Sequence, residues 1–359
     1  MPTDHLRDLR AAFAPDPGNL DAATCGIPPR SAVVAMQSAL ADWAAGRTCP
    51  VTLGADVERA RAAFARIVGV ETARVAVGSQ TSAAVGTVAA SLPDGARVVV
   101  VEDDFTSVTY PFLQHAHRGV TVRAVPAAAL PDAVAEGCDL VAFSVVASRT
   151  GAVADVGGVL AAAAAVGALT LADLTQAAGW LPVEAGRFDV TVTSAYKWLC
   201  CPRGVAFTTL SDRAQRLVRP ILAGWYAGAD VWDSCYGVDP ALAPDARRFD
   251  VSPAWLAFVG AAASLEAIAA VLTRPPDAIA AHDVALADAL LAGLGLAPRG
   301  SAVVSLPDPD GEHRAALAAA GLRVAGRGGN VRLSFHLWND ERDVARALEV
   351  LRTARRAAA

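Results

Sequence analysis

Short apolar runs alternate with Ala-rich stretches through the first two thirds of the chain, the pattern of a sheet wrapped by helices. Strands are predicted at Val75–Val77, Arg97–Val101, Val120–Val125, Leu140–Val146, Ala168–Ala172, Asp189–Thr193 and Gly204–Leu210. Several are apolar throughout, as strands covered on both faces must be. Helices are predicted between them, among them Asp56–Val68 and Val156–Ala165. From about Ala254 the pattern changes to a long helical region broken at Pro275-Pro276, strands near Ser301–Leu306 and Asn330–Phe335, and a last helix. That helix opens at Asn339-Asp340 and sets Val344, Leu348 and Leu351 on one face. Acids in its first turn and arginines in its last suit the helix dipole. The class predicted is α/β: a mostly parallel sheet flanked by helices, with a smaller α+β C-terminal domain.

At 359 residues, 54% of them hydrophobic, the chain can bury one large core or a large and a small one. The formal charge of -5 is modest and the arginines are scattered, so no nucleic-acid partner is expected. The longest apolar stretch noted, Val156–Ala172, is bracketed by Asp155 and Asp173. It falls short of the roughly 20 residues a membrane span needs. It reads as a buried helix running into a strand, and no membrane partner is expected. No cationic start followed by an apolar segment opens the sequence, which predicts no secretion signal and a cytoplasmic location. Cys25, Cys49, Cys138, Cys200, Cys201 and Cys235 show neither a dense disulfide framework nor zinc-finger spacing. His115 and His117 lack a nearby ligand set and read as a solvated helix face, so no metal is expected.

Thirty of the thirty-one basic side chains are arginine, and Lys197 is the one lysine. A stray lysine belongs on an exposed helix. Lys197 instead follows the strand of Asp189-Val-Thr-Val-Thr-Ser-Ala-Tyr-Lys197 and precedes the Pro202-Arg203-Gly204 turn. Arginine can imitate its charge but cannot form an imine with an aldehyde, which favours a functional lysine and points to pyridoxal phosphate (PLP).

A PLP site needs a carboxylate for the pyridine nitrogen, a phosphate cradle and a group to hold the ring flat. Asp173 ends a strand, where ligands bind in open α/β sheets, and Gln176 lies three residues on, within reach of the cofactor's phenolic oxygen. A helix N-cap is the alternative for Asp173. Gly78-Ser79-Gln80-Thr81-Ser82 joins a strand to an Ala-rich helix, a junction that suits an anion or merely a cap. Phe105 could lie on the pyridine ring or be a core aromatic.

At these residues the chain resembles the class V aminotransferase family of fold-type I PLP enzymes, which includes cysteine desulfurases, kynureninases, isopenicillin epimerases and carbon-sulfur lyases. The likeness runs from Asn19-Leu-Asp-Ala-Ala-Thr24-Cys-Gly26 through Asp173-Leu-Thr-Gln176 and Tyr196-Lys197-Trp198-Leu199 to Val331-Arg332-Leu-Ser334. It implies an N-terminal segment, 1–30, packing with the small domain, a large PLP-binding domain, 31–253, and a small domain, 254–359. It makes Lys197 the Schiff-base lysine, Asp173 the pyridinium partner, Gln176 the phenolate partner and Phe105 the stacking group. Gln80, Thr81 and Ser194 would hold the phosphate, with Ser252 reaching it from a neighbouring subunit of a homodimer. Ser148 stands where desulfurases place an asparagine, and Arg332 would grip the substrate carboxylate bidentately.

Two departures shape the expected reaction. Tyr196 and Gly224-Trp225 are similar to kynureninases rather than desulfurases, and the segment 321–330, where desulfurases carry a nucleophilic cysteine, contains none. The expected enzyme therefore acts on an α-amino acid by lyase-type cleavage at the β-bond, with transamination or epimerisation as alternatives and a silent PLP-fold binding protein as the alternative of another class. Trp225, in the aromatic stretch up to Tyr236, is read as lining the substrate pocket or packing at an interface.

Overall fold

The computed structural model describes residues 2–239, 241–272 and 277–357. The expected break at Pro275-Pro276 lies outside them. Ten strands are described: β1 Val75–Gly78, β2 Arg97–Val101, β3 Thr121–Val125, β4 Leu140–Ser144, β5 Leu169–Asp173, β6 Val190–Ser194, β7 Ala206–Leu210, β8 Val303–Pro307, β9 Ala325–Arg327 and β10 Asn330–Ser334. The first seven form one sheet in the order β1-β7-β6-β5-β4-β2-β3. Only β7 runs against its neighbours, so β1, β6, β5, β4, β2 and β3 all point the same way. Their carboxyl ends share one edge, where such sheets bind ligands. The mostly parallel sheet flanked by helices, with a second small sheet, is the architecture the sequence predicts.

Burial explains the apolar runs. Leu140, Val141, Ala142 and Phe143 of β4 are wholly buried, facing helices alternately on either side. Helix Val156–Val166 starts where Asp155 accepts a hydrogen bond from Gly158 N and stops at Gly167 in left-handed backbone (φ 72°). Helix Pro50–Val68 begins six residues earlier than predicted, with Pro50 in its first turn, where the missing N–H costs nothing.

Helix Trp255–Leu272 is long and apolar enough to cross a membrane by length and composition, yet Phe258, Ala261, Leu265 and Ile268 are buried in the core of the large sheet. It packs on helices Arg30–Ala44 and Pro50–Val68. From helix Ala278–Gly293 onward, apolar side chains such as Leu290, Leu333, Phe335 and Leu351 gather around the antiparallel sheet β8-β10-β9. Leu20 joins this second core, and the residues on either side of it form bridges, Asn19 with Arg323 and Asp21 with Ser334 at the end of β10.

The segment before Arg332 is a hairpin. Arg327 and Asn330 face each other across Gly328-Gly329, both at positive φ (53° and 77°), the geometry of a two-residue turn that side chains resist.

Candidate active site

Asp173, Ser194 and the Gly78–Thr81 turn lie together because they end parallel strands. Asp173 Oδ1 accepts from Thr175 N at 2.7 Å, and Ser194 N donates to Thr175 Oγ1 at 2.9 Å. Thr81 Oγ1 stands 2.9 Å from Ser194 Oγ and 3.4 Å from Thr175 Oγ1. Thr81 is also the first residue of helix Thr81–Ser91, whose free N–H groups and dipole favour an anion. Asp173 is not a helix cap: no helix follows it directly, and its bond is to a buried turn.

Lys197 sits in a tight turn after β6. Cys200 N donates to the Lys197 carbonyl at 3.0 Å, and Cys200 takes a left-handed backbone (φ 56°), the one non-glycine to do so among the described residues. Such strain persists only where its surroundings over-determine it. Gly26 N donates to Tyr196 O at 2.9 Å, and a Cβ on Gly26 would fall 1.9 Å from the Lys197 carbonyl oxygen. Gly179 meets the next carbonyl, of Trp198, in the same way. The turn is therefore gripped by backbone from both sides.

Lys197 is 6% exposed, and its Nζ lies 5.6 Å from the centre of the Phe105 ring. Burial pushes its amine down to about 8, against the pull of Asp173 and with help from Arg332, Arg327 and Arg203. Burial likewise pushes Asp173 up to about 6, against its bonds to Thr175. Phe105 is 44% exposed, so it is no core aromatic; Asp104 ties it to the end of β4, accepting from Phe105 N and Ser144 N at 2.7 Å each.

The buried Trp198 indole, a donor only, gives its Nε1–H to Gln176 Oε1 at 2.7 Å. The Gln176 amide is thereby oriented with Nε2 toward Ser148 Oγ (3.1 Å) and Ala23 O (3.0 Å), so it presents donors there. Arg332, 1% exposed, reaches the same serine: Nη1 donates to Ser148 O at 2.6 Å, and Nη2 donates to Thr24 Oγ1 at 2.7 Å. Its Nε has no partner, a buried donor left over for a ligand.

Lys197, Asp173, Phe105, Thr81, Ser194, Gln176, Ser148 and Arg332 thus fall into one connected region. Three expected residues do not join these contacts. Gln80 is exposed at the head of its helix, and Ser252 is exposed on a segment that Val251 N ties to Val77 O. Trp225 packs among Tyr226, Trp232 and Trp255, so a part in holding substrate rests on resemblance alone.

Sequence reading missed several supports. Thr175 and Thr24 lay inside recognised motifs without a role. Buried His336 bonds Asp283 through Nδ1 (2.7 Å) and the Trp198 carbonyl through Nε2 (2.9 Å), joining the small sheet to the lysine turn. Burial opposes the charged imidazole, but the Asp283 carboxylate outweighs it and lifts His336 to about 10. Arg61 and Asp250 form a buried two-pronged pair, and Asp250 Oδ1 also accepts from Val77 N at 2.8 Å. Their partners lie 189 and 173 residues away, beyond any local pattern.

These residues fit PLP on this structure's own evidence: a buried amine held near neutrality, an acid coupled to it, an open aromatic face, hydroxyls at a helix start and an orphaned guanidinium N–H. The comparisons agree. A curated relative, the uncharacterized aminotransferase YcbU of Bacillus subtilis, is 29% identical over 218 residues, 58% of this chain and 57% of its own. Kynureninase of Deinococcus radiodurans is 31% identical over 202 residues, 54% of this chain and 49% of its own. The matches thus span about half the length of these curated relatives. Among solved structures, the cystine C-S lyase C-DES, in complex with its product cysteine persulfide, superposes with a TM-score of 0.81. That likeness covers 94% of this chain and 97% of the other at 19% identity, and shows the fold. The sequence model described as Aminotransferase class-V matches residues 19–318, and by that match over most of its length the chain belongs to the class V aminotransferase family of PLP enzymes.

Proposed function

We propose that this protein is a PLP enzyme that cleaves a β-bond, carbon-sulfur or other, of an α-amino acid, and that it works as a homodimer. The observation that carries this is Lys197: a buried amine near 8, coupled to Asp173, facing Phe105. Bound at Lys197, PLP supplies an electron sink for bond breaking at the substrate's α-carbon. Asp173 would hold the pyridine nitrogen protonated, Thr81 and Ser194 would hold the phosphate, Phe105 would cover the ring, and Gln176 would donate from Nε2. Arg332 binds the substrate carboxylate, its Nε supplying the unused donor. Lys197 Nζ, with a proton affinity close to neutrality, takes the α-proton and returns it.

Support for cleavage without a thiol comes from the cysteines. Cys200 and Cys201 are buried beneath the lysine turn, and burial pushes both thiols up, away from the reactive thiolate. The hairpin before Arg332 carries none. A panel of amino acids incubated with the PLP-loaded protein tests the reading. Release of ammonia with the cofactor unchanged is expected; conversion of the cofactor to its amine form indicates transamination, and stereoinversion alone indicates epimerisation.

A further inference from the structure

The β9–β10 hairpin lacks a thiol but presents a guanidinium. Arg327, exposed on β9 next to the Gly328-Gly329 turn, folds back so that Nη2 donates to Thr24 Oγ1 at 3.2 Å. The same hydroxyl oxygen accepts from Arg332 Nη2 at 2.7 Å. Two cations thus share one neutral acceptor, within the reach of two hydrogen bonds of each other. A hairpin arginine needs only water and gains nothing by approaching a second guanidinium, whose charge repels it.

Counter-charge is short. Arg149, which lies against Gly328, is paired with Asp103. Arg327 forms no ion pair among the described residues; its other bond is to the Gly326 carbonyl. Asp21 is one partly buried carboxylate facing Arg332, Arg327 and Arg323 together, and its Oδ1 stands 3.7 Å from Arg332. Lys197 feels the same excess, with Arg332, Arg327 and Arg203 all disfavouring its protonation. An anion brought between Arg327 and Arg332 relieves this repulsion, and an α-carboxylate satisfies only one of the two.

We infer that Arg327 is a specificity-determining residue that binds an anionic group on the substrate's side chain. The preferred substrate is then a short acidic α-amino acid, its α-carboxylate on Arg332 and a compact second anion, a carboxylate or sulfinate, on Arg327. The closeness of the two guanidinium groups selects short side chains. This rests on the PLP and Arg332 assignments above and adds the substrate class to them.

Succinate and propionate, unreactive acids that differ by one carboxylate, separate the two levels. Each is titrated into the PLP-loaded protein while the visible spectrum of the bound cofactor is followed. Succinate is expected to bind at least about tenfold more tightly, the gain of one charge-assisted contact. In Arg327→Gln that advantage should shrink to under about twofold, whereas Arg327→Lys keeps most of it. Equal affinities in the wild type, or an advantage that survives Arg327→Gln, overturn the assignment of Arg327 and leave the parent reading standing. If neither acid binds, the Arg332 assignment fails and this inference fails with it.

Discussion

Lys197 is held so that its nitrogen, not its charge, is its asset. Burial lowers the amine to about 8, so the free amine fraction grows about tenfold per pH unit below that value and levels off above it. Capture of PLP by the cofactor-free protein should rise with pH in the same way between 6 and 8, read from growth of visible absorption. A rise that continues tenfold per unit well above pH 8 would mean that burial does not lower the amine. Borohydride reduction should then fix one cofactor mass on the wild type and none on Lys197→Ala, by intact-mass analysis. Asp173→Asn is expected to retain PLP and lose about 10²-fold or more in turnover, because an amide cannot hold the pyridine nitrogen protonated. Turnover near wild type would leave Asp173 with only its structural bond to Thr175.

Among the cysteines, structure redirects attention. Cys200 and Cys201 are the cysteines nearest Lys197 along the chain, but these are buried, whereas Cys25 is exposed and stands between Thr24, which both arginines contact, and Gly26, which touches the lysine turn. Alanine at each of the six positions should leave the chemistry intact, with stability losses at Cys138, Cys200 and Cys201. A variant that folds and loads PLP but stalls after binding substrate would restore a thiol mechanism, and Cys25→Ala is the first to measure.

At the scale of elements, what could be read in the sequence was what local rules govern. The parallel strands are apolar because both faces are covered, and strand ends followed by polar residues marked Asp173 and Thr81, whereas Ser194 came only from the resemblance. The β9–β10 hairpin was missed although Gly328-Gly329 is a turn signal, because the strand before it has three residues and only Ala325 is buried. Nothing local marks the clamp on β1. There Asp250 joins Arg61 to the strand that feeds the phosphate turn, so Asp250→Ala leaves a buried cation with only half-exposed Glu58 as counter-ion. A loss of about 3 kcal/mol in urea unfolding is expected, with weaker retention of PLP. A change under about 1 kcal/mol would mean that the strand end is held by its neighbours alone.

Across the whole molecule, the lysine turn is held from three directions: by Gly26 near the start of the chain, by Gly179 in the middle and by His336 near the end. The resemblance included Gly26 but not His336, and which backbone atoms meet was beyond sequence reading, since none of the three is close to Lys197 along the chain. Removal of the residues after 320 therefore takes away β9, β10, Arg332 and His336 while sparing every strand of the large sheet. The shortened chain should fail to fix PLP under borohydride even where its circular dichroism remains α/β; full fixation would show that the large sheet alone suffices.

The partnership of Ala23 N with Ser334 Oγ spans 311 residues. At roughly 5–20 residues per second on a ribosome, the first partner waits some tens of seconds for the second to be made. Throughout that interval the N-terminal segment has no edge to pair with and the lysine turn lacks its histidine. A nascent chain can thus build its large sheet early, but Lys197 acquires its finished surroundings only once β10 and His336 have left the exit tunnel.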